Sequence, residues 1–71
     1  MSRKTNYFVI FNVDKQASLT VYGRNTVAKY LRENGCKFND KKLLLIGGEN
    51  AIVFSNKRGQ SFIIEEACDT N

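Results

Sequence analysis

Five positive side chains in this sequence are placed where they could meet phosphate. Lys57 and Arg58 stand together just before Gly59, at the tip of a predicted hairpin. Lys29 and Arg32 lie three residues apart, on the polar face of a predicted helix. Arg24 precedes that helix in Gly23-Arg24-Asn25-Thr26, where free backbone N–H groups and the helix dipole favour an anion, although simple capping is the plainer reading of those four residues. A basic hairpin tip and a basic helix face are two devices by which small proteins reach a phosphate backbone. Lys37, Lys41 and Lys42 flank the loop that leaves the helix, and Arg3 and Lys4 form a basic arm. Tyr22 and Tyr30 offer rings for base stacking, but Tyr30 falls on the apolar helix face and reads as core.

Catalytic chemistry has far less support. There is no histidine, the residue most often used for acid–base work near neutral pH. Cys36 follows a helix C-terminus, whose negative end disfavours a thiolate, and Cys68 lies among acids that do the same. Glu65 and Glu66 are adjacent on a strand and point to opposite faces, so they form no carboxylate pair. Gly47-Gly48 lacks the lysine and helix of a phosphate-binding loop, and no Gly-x-Gly-x-x-Gly occurs. Two isolated cysteines make no zinc site. The expectation is a binding protein with no catalytic residues, no metal and no cofactor.

The elements that must position these cations follow from the apolar pattern. Tyr7–Val13 is rich in aromatic and β-branched residues and reads as a strand, and Ser18–Tyr22 alternates as a second. Asp14–Ala17 is the turn between them. Asn25 is the expected N-cap of a helix of about ten to twelve residues, with Val27, Tyr30, Leu31 and Asn34 on one face. Asn34-Gly35 is its stop signal, and Cys36 or Phe38 is placed to pack back on Leu31. Lys42–Ile46, Ala51–Ser55 and Ser61–Glu65 read as three further strands. Gly47–Asn50 is a turn, and Asn56–Gly59 a hairpin loop in which Gly59 takes positive φ after a type I turn. The expected fold is α+β with the order ββαβββ: a mostly antiparallel sheet with one short helix on one face, or alternatively a small curled barrel.

From Val27 to Glu65, a helix ending in Asn34-Gly35, then strands and a glycine-turned hairpin, resembles the core of double-stranded-RNA-binding domains and of HicA-type ribonuclease toxins. The toxins' activity depends on a histidine that this chain lacks. The RNA-binding domains carry a C-terminal helix, and Glu65-Glu66 stand where it would begin.

Strand 1 presents Tyr7, Val9, Phe11 and Val13 on one side and Phe8 and Ile10 on the other, so both sheet faces are apolar. If Ser55 faces Gln60, Val53 pairs with Phe62 on one face and Ile52 with Ile63 on the other. One helix covers one face, and the second requires a partner, with a homodimer the first candidate.

Length and charge bound the rest. Seventy-one residues form a single domain, 1–71, of the size that often needs a staple. Residues 1–5 read as a flexible basic arm and 67–71 as a frayed acidic end. Neither a secretory signal nor a membrane span is legible, so reduced thiols in the cytoplasm are expected. The net charge is +4, and residues 1–64 carry eleven basic against four acidic groups, a net +7. A basic body suits nucleic acid, reached through Arg24, Lys29, Arg32, Lys57 and Arg58. The alternative is a protein-interaction module or inhibitor, of the compact kind that phages and mobile elements encode. It would dock on an acidic host protein through its sheet face or edge.

Overall fold

A computed structural model describes residues 5–47 and 50–69. Its elements run β1 (Thr5–Asn12), β2 (Ala17–Val21), α1 (Arg24–Glu33), α2 (Asp40–Leu44), β3 (Ile52–Ser55) and β4 (Ser61–Asp69). The strands form one antiparallel sheet in the order β2-β1-β4-β3, open at β2 and β3. The expected α+β class holds, with helix and sheet as anticipated. The curled barrel is overturned, because β2 and β3 lie at opposite edges and do not pair.

The first hairpin forms because Asn12 organises its turn. Its Oδ1 accepts from the backbone N–H of Asp14 and of Lys15 at 3.0 and 3.1 Å, and Gln16 takes φ +51 to bring the chain back. Helix α1 buries Val27, Ala28 and Leu31, as its spacing predicts. Its N-cap is Gly23, at φ +84 and with no side-chain cap, rather than Asn25, which lies inside the first turn. The positive φ that glycine tolerates sets where the helix begins. At the other end the stop signal works as read. Gly35 takes φ +79, and the N–H groups of Gly35 and Cys36 return to the carbonyls of Arg32 and Leu31 at 3.1 and 2.9 Å.

Lys42–Ile46 is not a strand. Asn39 Oδ1 accepts from the Lys42 N–H at 2.7 Å and caps a short helix, α2, with Asp40 in its first turn. Leucine and lysine are good helix formers, so nothing in Lys42–Leu45 opposes that start. The run does not alternate because it is helical: Leu43 packs on the core and Ile46 is fully buried, while Leu44 and Leu45 are exposed. The order is therefore ββααββ. With α2 standing where a strand was expected, the layout shared with RNA-binding domains and HicA-type toxins is not kept.

Both helices pack on the same face. The core there joins Phe8, Ile10, Val21, Val27, Leu31, Cys36, Ile46, Phe54, Phe62 and Ile64. The last hairpin is offset by one residue from expectation: Ser55 pairs with Ser61, Phe54 with Phe62 and Ile52 with Ile64. Its loop is the cause. Asn56 pairs with Gln60 instead, donating N–H to the Gln60 carbonyl at 3.1 Å, and Gly59 at φ +83 donates to Asn56 O at 3.1 Å. One residue of slip moves every side chain to the other face. Phe62 and Ile52 thus face the helices, and Val53 and Ile63 face away with Tyr7, Val9 and Phe11. Strand β4 runs on to Asp69 and pairs with β1 along its whole length, so Ala67–Asp69 continue the sheet. The basic arm expected at the N-terminus and the last two residues fall outside the described residues, apart from Thr5, which opens β1. Among the described residues no helix is long and apolar enough to cross a membrane.

Candidate functional site

Of the five expected cations, Arg32, Lys57 and Arg58 lie toward one end of the molecule, Lys29 stands one turn along α1 from Arg32, and Arg24 lies at the start of that helix. Arg24 starts α1, and its Nη1 donates to the carbonyls of Leu43, at 3.1 Å, and Ile46. Those carbonyls belong to the last turn of α2 and the residue after its C-cap, where helix carbonyls run short of backbone donors; the Leu43 carbonyl also accepts from the Ile46 N–H at 3.3 Å. The guanidinium also lies 5.2 Å from the centre of the Phe8 ring. Arg24 therefore ties α2 to α1. Lys29 is exposed on the outer side of α1, one turn before Arg32.

The opposite end is built from three pieces: the C-terminus of α1, the start of α2 and the β3–β4 hairpin tip. An isolated bridge between Cys36 and Asn56 lays the segment after α1 beside that hairpin. Asn56 fastens them. Its Nδ2 donates to Asn34 O at 2.7 Å and to Gln60 Oε1 at 2.9 Å, and its Oδ1 accepts from the N–H groups of Arg58 and Gln60, each at 3.0 Å. Arg58 Nη2 reaches the same Asn34 carbonyl at 3.4 Å, a weak contact that sets a positive charge at the negative end of α1. Lys57 is exposed beside it.

Two further cations stand over aromatic rings here. Arg32 lies 5.4 Å from the Phe38 ring centre and Lys42 4.6 Å from that of Phe54, and the two rings meet edge-to-face at 5.9 Å. Lys37 is exposed next to Cys36, and Lys41 in the first turn of α2. Arg32, Lys37, Lys41, Lys42, Lys57 and Arg58 thus share one end with two acids, Glu33 and Asp40. Lys42 joins this group through α2, because the segment expected as a strand is helical.

Cys36 is buried inside this basic end. Burial pushes its thiol pKa up, opposed by the nearby charges of Arg58 and Lys42. Below the ordinary thiol range both folded and unfolded chains are protonated, and the buried thiol costs nothing in pH terms. As pH rises past that range the unfolded chain loses its proton first, so stability falls through the folded pKa. In a Cys68→Ser background, Cys36 should react with a thiol reagent at least about tenfold more slowly in the folded protein than in urea. Urea melts from neutral to alkaline pH should show a stability loss that Cys36→Ala reduces.

A cavity of about 260 Å³ opens on the other side of Arg58, between the β1–β2 hairpin, the second half of α1 and Gln60. Beside it Leu19 of β2 is 45% exposed on the helix side of the sheet, whereas Val21 of the same strand is buried in the core. Tyr30 forms part of its wall, half-buried and edge-on to Phe62 with ring centres 5.8 Å apart. Tyr22 lies away from both features, exposed beside Tyr7 with ring centres 6.2 Å apart.

No known family, curated protein or solved structure matches this chain.

Proposed function

We propose that this protein binds nucleic acid without catalysing a reaction on it, and that the binding surface is the basic end. The observation that supports the reading is the convergence of Arg32, Lys42, Lys57 and Arg58, which come from three separate elements, beside the Phe38 and Phe54 rings. Fixed cations around an apolar base suit a phosphate backbone, because each meets a phosphate without first losing the freedom of a mobile loop. Lys29, one turn along α1 from Arg32, extends the surface. Arg24 serves α2 and is not part of it.

Fluorescence anisotropy with labelled single-stranded DNA, duplex DNA and RNA, titrated against salt, tests this. Binding should be measurable at low salt and fall steeply as salt rises. The double variant Lys57→Ala/Arg58→Ala should weaken it at every sequence and reduce the log–log salt slope by about 1.4–1.8, the effect of two lost phosphate contacts. Absence of binding to all three ligands at low salt would rule the function out.

A protein-interaction module is the second reading, favoured by the face that α1 and α2 leave bare. Val53 is 51% exposed there, beside partly exposed Val9, Phe11 and Ile63. A homodimer through that face is compatible with either function, and light scattering distinguishes it from a monomer.

A further inference from the structure

The cavity is lined by a side-chain donor that meets no protein acceptor among the described residues. Asn12 is 8% exposed and lies on the helix side of β1, between Phe62 on β4 and Ala17 on β2. Its orientation is set by chemistry. Two backbone N–H groups, of Asp14 and Lys15, point at one side-chain atom, so that atom is the oxygen and the nitrogen faces the other way. Nδ2 donates to no protein group among the described residues. No occluded side-chain nitrogen or oxygen among the described residues lacks a partner either, so Nδ2 is not sealed off, and the cavity is an opening that Asn12 lines. A nearly buried side-chain amide whose two N–H bonds meet no protein acceptor is uncommon.

The surroundings say what would meet them. Gln60 also lines the cavity; its Oε1 accepts from Asn56, and its Nε2 meets no protein acceptor among the described residues. Lys15 and Arg58 add two positive charges to the wall, and no carboxylate lines it among the described residues. The site is therefore rich in donors and positive, and selects an acceptor-rich anion. One wall is apolar, formed by the Tyr30 ring and Leu19. At about 260 Å³ the space lies just below the usual range of about 300–1,000 Å³ for small-molecule pockets, so it suits a single small ligand.

We propose that this cavity binds one phosphorylated nucleoside, with the phosphate at Lys15 and Arg58, the ring against Tyr30 and Leu19, and ring acceptors on the free amides of Asn12 and Gln60. This deepens the nucleic-acid reading, since Arg58 belongs to both surfaces. The nucleotide has two sources, a free mononucleotide or the phosphorylated end of a strand.

The test is a ¹⁵N-NMR titration of the whole chain with purine and pyrimidine 5′-mononucleotides, with the matching nucleosides and inorganic phosphate alongside. Mononucleotides should shift the side-chain amide signals of Asn12 and Gln60. Nucleosides and phosphate alone should bind at least about tenfold more weakly, since each makes only part of the contacts. Asn12→Asp keeps the oxygen that closes the turn and replaces the free donor by a negative charge, and should abolish the response. If that variant unfolds, Lys15→Glu on the exposed turn should do the same. A short oligonucleotide with and without a 5′-phosphate separates the sources: a phosphate-dependent shift at Asn12 marks strand-end capture, and equal weak shifts mark a free nucleotide. The proposal is overturned if mononucleotides leave the Asn12 and Gln60 amides unmoved, or if nucleoside or phosphate binds as well as the nucleotide. It is also overturned if Asn12→Asp, or Lys15→Glu in its place, binds like the native chain. Anisotropy of an oligonucleotide run in parallel keeps the two claims apart. Oligonucleotide binding without a mononucleotide response sinks only the cavity, and the reverse sinks only the basic end.

Discussion

Replacing Phe62 by alanine should remove most of the chain's stability and bring its urea midpoint close to zero. Phe62 is wholly buried at the centre of the sheet, on β4 between Asn12 of β1 and Phe54 of β3, and its ring meets Tyr30 of α1 edge-on. Removing a buried phenylalanine ring costs about 3–5 kcal/mol, from lost transfer free energy and the cavity left behind. Folded domains hold about 5–15 kcal/mol in total, and a chain this short lies at the low end. The loss therefore consumes most of the stability. Circular dichroism under a urea gradient is the measurement, and a midpoint close to that of the native chain would mean that the core is elsewhere. Val53→Ala is the matching control. Val53 sits on the same hairpin but faces away from the helices, so a monomer should lose no more than about 0.5 kcal/mol. A larger loss that grows with protein concentration would show that a second copy covers that face.

The contrast between Phe62 and Val53 depends on a register that the sequence did not disclose. The alternation of Ile52-Val53-Phe54 and Phe62-Ile63-Ile64 is equally apolar in either phase, so burial cannot choose between them from composition. The choice is made in the loop, by the hydrogen bonds of Asn56 and the positive φ of Gly59. Where local rules were sufficient they worked. The strands around Asp14-Lys15, the apolar stripe of α1 and the Gly35 stop are decided within a few residues. Lys42–Ile46 failed because four consecutive apolar residues have no period to read. The deciding signal was the Asn39-Asp40 cap in front of them, and Arg24, far away in sequence, completes the turn from outside.

The basic surface was half legible for the same reason. Lys57, Arg58 and Arg32 are found from charge and turn chemistry, but their grouping with Lys42 needs α2 and the Phe38–Phe54 pair. Arg24 looked equivalent on the page because a cation before a helix gives no hint that nearby carbonyls already hold it. Asn12 carried a usable signal that went unread. It continues the inward series Phe8, Ile10, Asn12, and a lone amide in an apolar alternation marks either a turn or a site. Here it is both, since one end closes the turn and the other faces the cavity.

Asn56→Ala should produce the second large effect, a loss of about 2–3 kcal/mol, although the side chain is polar and only half-buried. Four hydrogen bonds run through that one amide, and with the backbone bonds of the loop they join the hairpin to itself and to the last turn of α1. With alanine there, the Asn34 carbonyl keeps only the 3.4 Å contact from Arg58. Water can replace the lost partners at the rim, which holds the cost below that of a core cavity. Asn56→Asp separates the two halves of the amide. It preserves the oxygen that accepts from Arg58 and Gln60 but turns a carboxylate oxygen toward the Asn34 carbonyl and Gln60 Oε1. It should therefore be no more stable than the native chain and should loosen the hairpin from α1 specifically, seen as faster amide exchange at Cys36 and Lys37. Because Arg58 is positioned from this loop, Asn56→Ala should also weaken oligonucleotide binding, by less than Arg58→Ala does, since the charge remains and only its placement is lost. If Asn56→Ala melts like the native protein, the register and the basic end must be held by the strands alone, and the loop would follow the sheet instead of setting it.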